Sequence, residues 1–491
     1  MITDKIINII NREHKPKIFF CGIGGIGMSG LALLLNSCGY EVFGSNECEN
    51  KNTLMLKDKG IRVFIGHDAN NLQDCDIFAY TSAVDIKVNC EAIEAKKRNL
   101  PIIKRGELLA ILMQHYFNIV VAGSHGKTTT TAIIGHMLKE YKLQPNILLG
   151  GVLNDNHSNC VVGKNKYFVI ESDESDGTFE QMQADIAVIT NIDPEHMDFY
   201  KTKKNLEHYF LSFTEKAIAK NENSGAIICI DDEIGTNIAN RVLKNNTKNN
   251  VLTYSLNNPV ATIYSKNIRY SNNGIEFDCI INGVYGNTLE INDIFLSNMF
   301  GNHNVSNTLA SIGVAILLKQ DIRDVKKLFS NFQGIQKRFT ILGKLKHSLI
   351  VDDYAHNPQK ISACINSAKH YASCNNLKSG ITIVFEPHRY TRIRDEMEAF
   401  KIAMKDVDNI IVLPIYASSE QPIDGINDEY VYQQLKSVNQ STQKCSLDID
   451  ELFNKLLKIV NDNKTDLIVF MGAGKSSKIA HEIAKISKAI K

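Results

Sequence analysis

The sequence predicts an α/β protein of three domains. Three observations lead there. Short β-branched runs alternate with amphipathic stretches along most of the chain, as in domains built on mainly parallel sheets. The pattern restarts twice, near residues 114 and 332. Polar or glycine-rich chemistry follows one strand after another, and open α/β sheets bind ligands outside the carboxyl ends of their strands. The chain's 491 residues, 44% of them apolar, exceed what a single core holds, since cores stop growing at about 250–300 residues. The expected divisions are 1–113, 114–331 and 332–491.

In the first block, "KIFFCGIGGIGMSGLALLLNSCGYEVFGS" runs strand, glycine turn, helix and strand, and "DIFAYTSAV" and "LPIIKRGELLAILM" continue the alternation. "GIGGIG" satisfies G-x-G-x-x-G and can cradle a pyrophosphate. A dinucleotide site wants an acid at the end of the second strand, however, and "GSNE" puts Ser45 and Asn46 there, with Glu47 late. This favours a pyrophosphate ligand other than NAD over a dehydrogenase.

The second block opens on "NIVVAGSHGKTTTT". Gly123 to Thr128 bring backbone N–H groups, a lysine and a hydroxyl to a helix N-terminus, which suits a nucleoside triphosphate with Mg²⁺. The strict P-loop has glycine where this chain has Val121. Glu171 ends the strand in "VIESDESDG" and can share a divalent ion with Thr128, while His196 in "TNIDPEHMDFY" can serve a second ion or a proton. An Asn-rich stretch, roughly 221–292, reads as small antiparallel strands and loops.

The third block carries "SLIVDDYAHNP", "GITIVFEPHRYTR", "NIIVLPIYASSE" and "DLIVFMGAGKSS". Arg389 and Arg392 suit a bidentate grip on a carboxylate, with a surface pair as the plain alternative. "MGAGKSS" imitates a second phosphate loop, but no acidic strand end is expected to partner it, and a glycine turn into the last helix explains it.

Composition excludes several classes. Lys+Arg at 55 against Asp+Glu at 54 leaves no field to hold nucleic acid or an anionic membrane. Eleven cysteines without a CxxC fit free thiols of a reducing cytoplasm. "MITDKIINIINREHK" lacks a signal-peptide core, and no apolar run approaches the ~20 residues of a membrane span.

Taken in order, "GIGGIGMSG", "GSHGKTTTT", "ESDESD", "TNIDPEHMD", "GNHNVSN", "KRF", "DDYAHNP" and "PHRYTRIRD" closely resemble the Mur ligases over essentially the whole chain. The resemblance implies a Rossmann-like first domain, a central P-loop-type ATPase α/β domain and a Rossmann-like last domain, in an ATP- and Mg²⁺-dependent ligase that joins L-alanine to the carboxylate of UDP-N-acetylmuramate through an acyl phosphate. A monomer or homodimer is expected. Its alternative is a recycling ligase adding a tripeptide to the same sugar nucleotide, against which "PHRYTR" speaks. The same resemblance assigns Gly123, Ser124, His125, Gly126, Lys127, Thr128, Thr129, His303, Asn304, Asn307, Arg338 and Asp352 to ATP. Thr128, Glu171 and His196 go to the metal, and Gly22, Gly24, Gly25, Gly27, Ser45, His67, Ser82 and Arg105 to the UDP-sugar. Tyr354, His356, Arg389 and Arg392 go to the amino acid, and Lys127, Glu171, His196, Arg338 and His356 to catalysis. Ser124, Asn46, Asn357 and Lys337 stand where the family usually has Thr, Asp, His and Arg.

Overall fold

A computed structural model describes residues 15–489 except Ser82, Asn156, Asp176, 246–249, Tyr285 and Ser419. Most of the N-terminal stretch read for a leader, and Ser82 of the UDP-sugar set, lie outside the described residues. Three α/β domains are built on three sheets. The chain forms two compact units: one runs to Ser265 and takes in Cys279–Ile291 and Ser306–Phe329; the other comprises Lys266–Asp278, Asn292–Val305 and everything from Ser330.

The first sheet is parallel, with strands β1 (Lys17–Cys21), β2 (Glu41–Asn46), β3 (Arg62–Ile65), β4 (Ile77–Tyr80) and β5 (Ile102–Lys104) in the order 3-2-1-4-5. After Lys17 the "IFFC" run is apolar throughout because both faces of β1 are covered. Ile18 and Phe20 pack on one side, while Phe19 and Cys21 join Phe43 and Phe78 on the other. Strand order reverses at β1, so its glycine corner lies at the switch point where such sheets bind ligands.

The central sheet has ten strands: β6 (Phe117–Ala122), β7 (Asn146–Leu148), β8 (Cys160–Val161), β9 (Tyr167–Glu171), β10 (Ile186–Ile189), β11 (Gly225–Cys229), β12 (Val251–Ser255), β13 (Ile263–Ser271), β14 (Gly274–Ile281) and β15 (Leu289–Ser297). Their order is 15-14-13-12-11-10-6-9-7-8. β6 therefore lies between β10 and β9, with Val121 beside Glu171 and Ala122 beside Ile189. The reading of 221–292 needs correction: β11, the helix Glu233–Asn245 and β12 form a parallel strand–helix–strand unit, and only β13 to β15 are the expected small strands. Surrounding asparagines hid two five-residue apolar strands.

The third sheet runs β16 (Thr340–Leu345), β17 (Ser348–Asp353), β21 (Leu467–Met471), β18 (Ile381–Phe385), β19 (Asn409–Val412) and β20 (Thr442–Lys444), antiparallel only between β16 and β17. No described helix is long and apolar enough to cross a membrane. All eleven cysteines are free thiols.

Candidate active site

At the end of β6 the chain turns through Gly123 (φ +134°) and Gly126 (φ +81°) into the helix Lys127–Glu140. Both glycines are required. A Cβ on Gly123 would lie 2.2 Å from Thr190 Oγ1, and one on Gly126 would lie 2.6 Å from Asn307 Oδ1. The loop is pinned from β10: Thr190 Oγ1 and Asn191 Nδ2 donate to the His125 carbonyl at 2.6 and 2.9 Å, and the His125 N–H donates to Asn191 Oδ1 at 2.8 Å. Ser124 Oγ accepts from the Asp193 N–H at 2.9 Å. The His125 ring lies 3.0 Å from Asp193, and that hydrogen bond holds the Asp193 carboxyl below its ordinary range.

Lys127 curls over its own loop. Its ammonium donates to the carbonyls of Gly123 (2.6 Å) and Ser124 (3.3 Å) and to Glu174 Oε2 (2.5 Å). Thr128 Oγ1 donates to Glu171 Oε2 at 2.6 Å, so the strand-end acid and the helix hydroxyl meet as the sequence suggested. Thr129 is buried in the same helix, and Thr130 Oγ1 donates to Asn307 Oδ1 at 3.1 Å. His196, in the left-handed region at φ 56°, places Nε2 3.8 Å from Glu174 Oε1. Ligand atoms of Glu174, Glu195 and His196 lie within 4.8 Å of one another. Together with Glu171 and Thr128, this supplies the oxygen-rich donors that Mg²⁺ prefers. Sequence reasoning missed Glu174, although "ESDESD" contained it, because an acidic run usually means a solvated loop; here its side chain is only 6% exposed.

In the first domain, Gly22 (φ +80°) and Ile23 donate their N–H groups to the Ser45 carbonyl, both at 2.9 Å. The Gly24 N–H donates to Asn46 Oδ1 at 3.0 Å, which gives Asn46 a loop-holding part. Gly25 caps the helix Ile26–Ser37. Gly27 faces the Arg105 guanidinium, to which a Cβ would come within 3.0 Å. Ser45 and His67 meet at 3.0 Å over a residue sequence reasoning passed over, Glu91.

In the third domain, Arg338 lies between two non-glycine residues in the left-handed region, Lys337 (φ 59°) and Phe339 (φ 47°). Such backbone persists only where its surroundings fix it. The Tyr354 N–H donates to the Lys337 carbonyl at 2.9 Å, the Phe339 N–H donates to Asp353 Oδ2 at 2.7 Å, and the Arg338 guanidinium lies 5.7 Å from the Tyr354 ring centroid. Asp352 is buried, accepts from Ser477 Oγ at 2.7 Å, and has its carboxyl raised by that burial. His303 stands exposed in the first turn of the helix Asn302–Leu317, and Asn304 Nδ2 donates to the Phe300 carbonyl at 2.8 Å.

Tyr354, His356 and His388 form a chain of rings with centroids 4.9 and 5.1 Å apart. Arg392 Nη1 donates to His388 Nδ1 at 2.8 Å, so His388, unnamed by sequence reasoning, aims one of the paired arginines. Burial pushes His388 down to about 4 and His356 to about 2, with the positive charge of Arg392 adding to both. Arg389 caps the helix Tyr390–Met404 at φ 66°, and its N–H donates to the Tyr416 carbonyl at 3.0 Å. "MGAGKSS" does have an acidic partner, contrary to expectation: Glu386, just past β18, accepts from the N–H groups of Gly474 (2.8 Å), Lys475 (2.7 Å) and Ser476 (3.3 Å). Its carboxylate fills the anion nest.

Fold and site together define a three-domain α/β protein with a glycine-cornered loop at a helix start and acids past the ends of the two strands that flank it. Residues 17–117 match the Mur ligase family catalytic domain, residues 121–315 the Mur ligase middle domain, and residues 337–474 the Mur ligase glutamate ligase domain. The chain belongs to the Mur ligase family. It is 38% identical over 474 residues to the UDP-N-acetylmuramate–L-alanine ligase of Aquifex aeolicus, covering 96% of this chain and 98% of that one. It is 36% identical over 470 residues to the enzyme of the same name from Rickettsia felis, covering 95% of each. Among solved structures it resembles the UDP-N-acetylmuramate-alanine ligase of Thermotoga maritima, with a TM-score of 0.78 and 26% identity over 97% of this chain and 100% of that one. A murein peptide ligase from Psychrobacter arcticus shares the fold, with a TM-score of 0.66 and 21% identity over 96% and 98% of the two chains.

Proposed function

We propose that this chain is an ATP-dependent ligase that joins L-alanine to the carboxylate of UDP-N-acetylmuramate, in peptidoglycan precursor synthesis in the cytoplasm, as a monomer or homodimer. One observation carries the reading: a phosphate-loop lysine and threonine are each already engaged by a strand-end acid, Lys127 by Glu174 and Thr128 by Glu171. The names of its full-length relatives support the same substrates, and the recycling reading is the less similar one.

The muramate carboxylate is a weak acylating agent. Its oxygen attacks the γ-phosphorus of ATP, a C–O–P bond forms and the bond to the ADP oxygen breaks. The alanine amine then attacks the acyl carbon, forming the C–N bond, releasing phosphate and losing a proton. Lys127 and the loop N–H groups neutralise and place the phosphates, and Arg338 serves the transferring group. Asn307, whose buried Nδ2 has no hydrogen-bond partner among the described residues, belongs with His303 and Asn304 to the nucleotide set, as Asp352 does. Thr128, Glu171 and His196, with Glu174 beside them, would hold Mg²⁺, which supplies charge neutralisation on the phosphates.

Gly22, Gly24, Gly25, Gly27, Ser45, His67 and Arg105 line the sugar-nucleotide side. Arg389 and Arg392 take the alanine carboxylate, with Tyr354 beside them. His356, its Nδ1 2.7 Å from the Tyr354 carbonyl, is held neutral by burial and so accepts a hydrogen bond from the amine without storing its proton.

The test is phosphate release from ATP with UDP-N-acetylmuramate while amino acids are scanned. Release that requires both the sugar nucleotide and alanine is expected, and ¹⁸O placed in the muramate carboxylate should reach the released phosphate. Turnover without sugar nucleotide would mean a nucleotide switch, and a preference for tripeptide would mean the recycling ligase.

A further inference from the structure

We infer that Glu91 is a positioning residue for the sugar-nucleotide site: it fixes His67 with the ring proton on Nδ1, leaving Nε2 as an acceptor for an imide N–H or ribose hydroxyl of the bound nucleotide. The inference rests on the reading of His67 as a lining residue. Glu91 lies in the first turn of the helix Cys90–Lys97 and is fully buried. Its Oε2 receives Ser45 Oγ at 2.6 Å and faces His67 Nδ1 at 2.9 Å. Its Oε1 receives Asn71 Nδ2 at 2.8 Å and the Asp68 N–H at 3.3 Å. One carboxylate thus ties together the end of β2, the loop after β3 and a helix start.

The carboxylate is acceptor-only, so His67 must turn a proton toward it. In the neutral ring a proton on Nδ1 leaves Nε2 bare as an acceptor. The His67 side chain keeps a quarter of its surface exposed while Glu91 has none, so the ring spans from the buried carboxylate to solvent. Cys21 Sγ lies 3.8 Å from the same Nδ1, and Cys21, His67 and Glu91 are close enough to share a cation. Four hydrogen bonds already occupy the carboxylate, however, and these assign the cluster to orientation of the imidazole.

Glu91→Gln separates this role from packing. The Asp68 backbone donor cannot turn, so the glutamine oxygen goes to it and the amide NH₂ faces His67 and Ser45. His67 must then accept through Nδ1 and carry its proton on Nε2. With ¹⁵N-histidine NMR at pH 8, the unaltered protein should show the Nδ1–H tautomer, and addition of UDP-N-acetylmuramate should shift Nε2 while Nδ1 stays protonated. The variant should show the opposite tautomer and bind UDP-N-acetylmuramate about tenfold or more weakly, with ATP binding unchanged. An Nε2–H tautomer in the unaltered protein overturns the inference even if the variant does not fold. So does an Nε2 resonance unmoved by bound sugar nucleotide, with the reading of the site left standing. Absence of UDP-N-acetylmuramate binding by the unaltered protein overturns both.

Discussion

Lys127 illustrates how a residue can be singled out from sequence while its partner is missed. The glycines and the lysine in "GSHGKT" point to an anion site from sequence alone, with a glycine-cornered turn as the plain alternative. Nothing local announces Glu174, which reaches the ammonium only because β9 lies beside β6. Lys127→Ala should abolish nearly all ATP-dependent turnover. It should also cost about 3 kcal/mol of stability, since Glu174 would remain buried without its cation. Lys127→Ala with Glu174→Gln should restore the denaturation midpoint without turnover, and a double variant as unstable as the single one would show that the pair does not hold the loop. Arg392→Ala should raise the alanine KM about tenfold or more and leave the KM for ATP near its starting value, because truncating one partner of a desolvated charge pair costs about 2–5 kcal/mol. An ATP-only defect would move this arginine to the nucleotide.

At the scale of elements, the strands with continuous apolar runs were legible: β1, β6, β9, β10, β17, β18, β19 and β21 all fall where the sequence places them. Legibility failed where polar background diluted short runs, as around β11 and β12. It also failed where partnership depends on sheet order, as with Glu386 and the loop after β21. That loop makes a sharp prediction. Glu386→Ala leaves three inward N–H groups without an acceptor, at a cost of about 1–3 kcal/mol for each unsatisfied group. Sulfate or phosphate should then raise the variant's melting temperature more than that of the unaltered protein. Equal responses would mean that the nest does not close around an anion.

For the molecule as a whole, one route from pH to stability runs through the third domain. His388 titrates near 4 in the folded protein and near 6.5 when unfolded, so the unfolded chain binds more protons between those values. Folding stability therefore falls as pH drops from about 6.5 to 4, and His356, lower still, extends the loss toward 2. Glutamine offers Arg392 an acceptor without a titrating proton, so His388→Gln should show a stability–pH slope shallower by about one proton over pH 4–6. Parallel curves in urea titrations at pH 7 and 5 would mean that His388 is not held neutral. The ordered motifs made the family legible over all three domains, whereas the hydrogen-bond partners that set such titrations became visible only with the chain folded.

The bond from Lys127 to Glu174 also bears on which anions the loop can select. A carboxylate tethered beside an ammonium competes for it at an effective concentration of roughly millimolar or above, whatever the solution contains. A monovalent anion offers the lysine nothing that this resident does not. A polyphosphate chain adds the backbone donors of the loop and a helix terminus to the exchange. With phosphate held there as proposed, discrimination in favour of long phosphate chains would follow from the competitor set beside the loop, before any contact with the base or sugar.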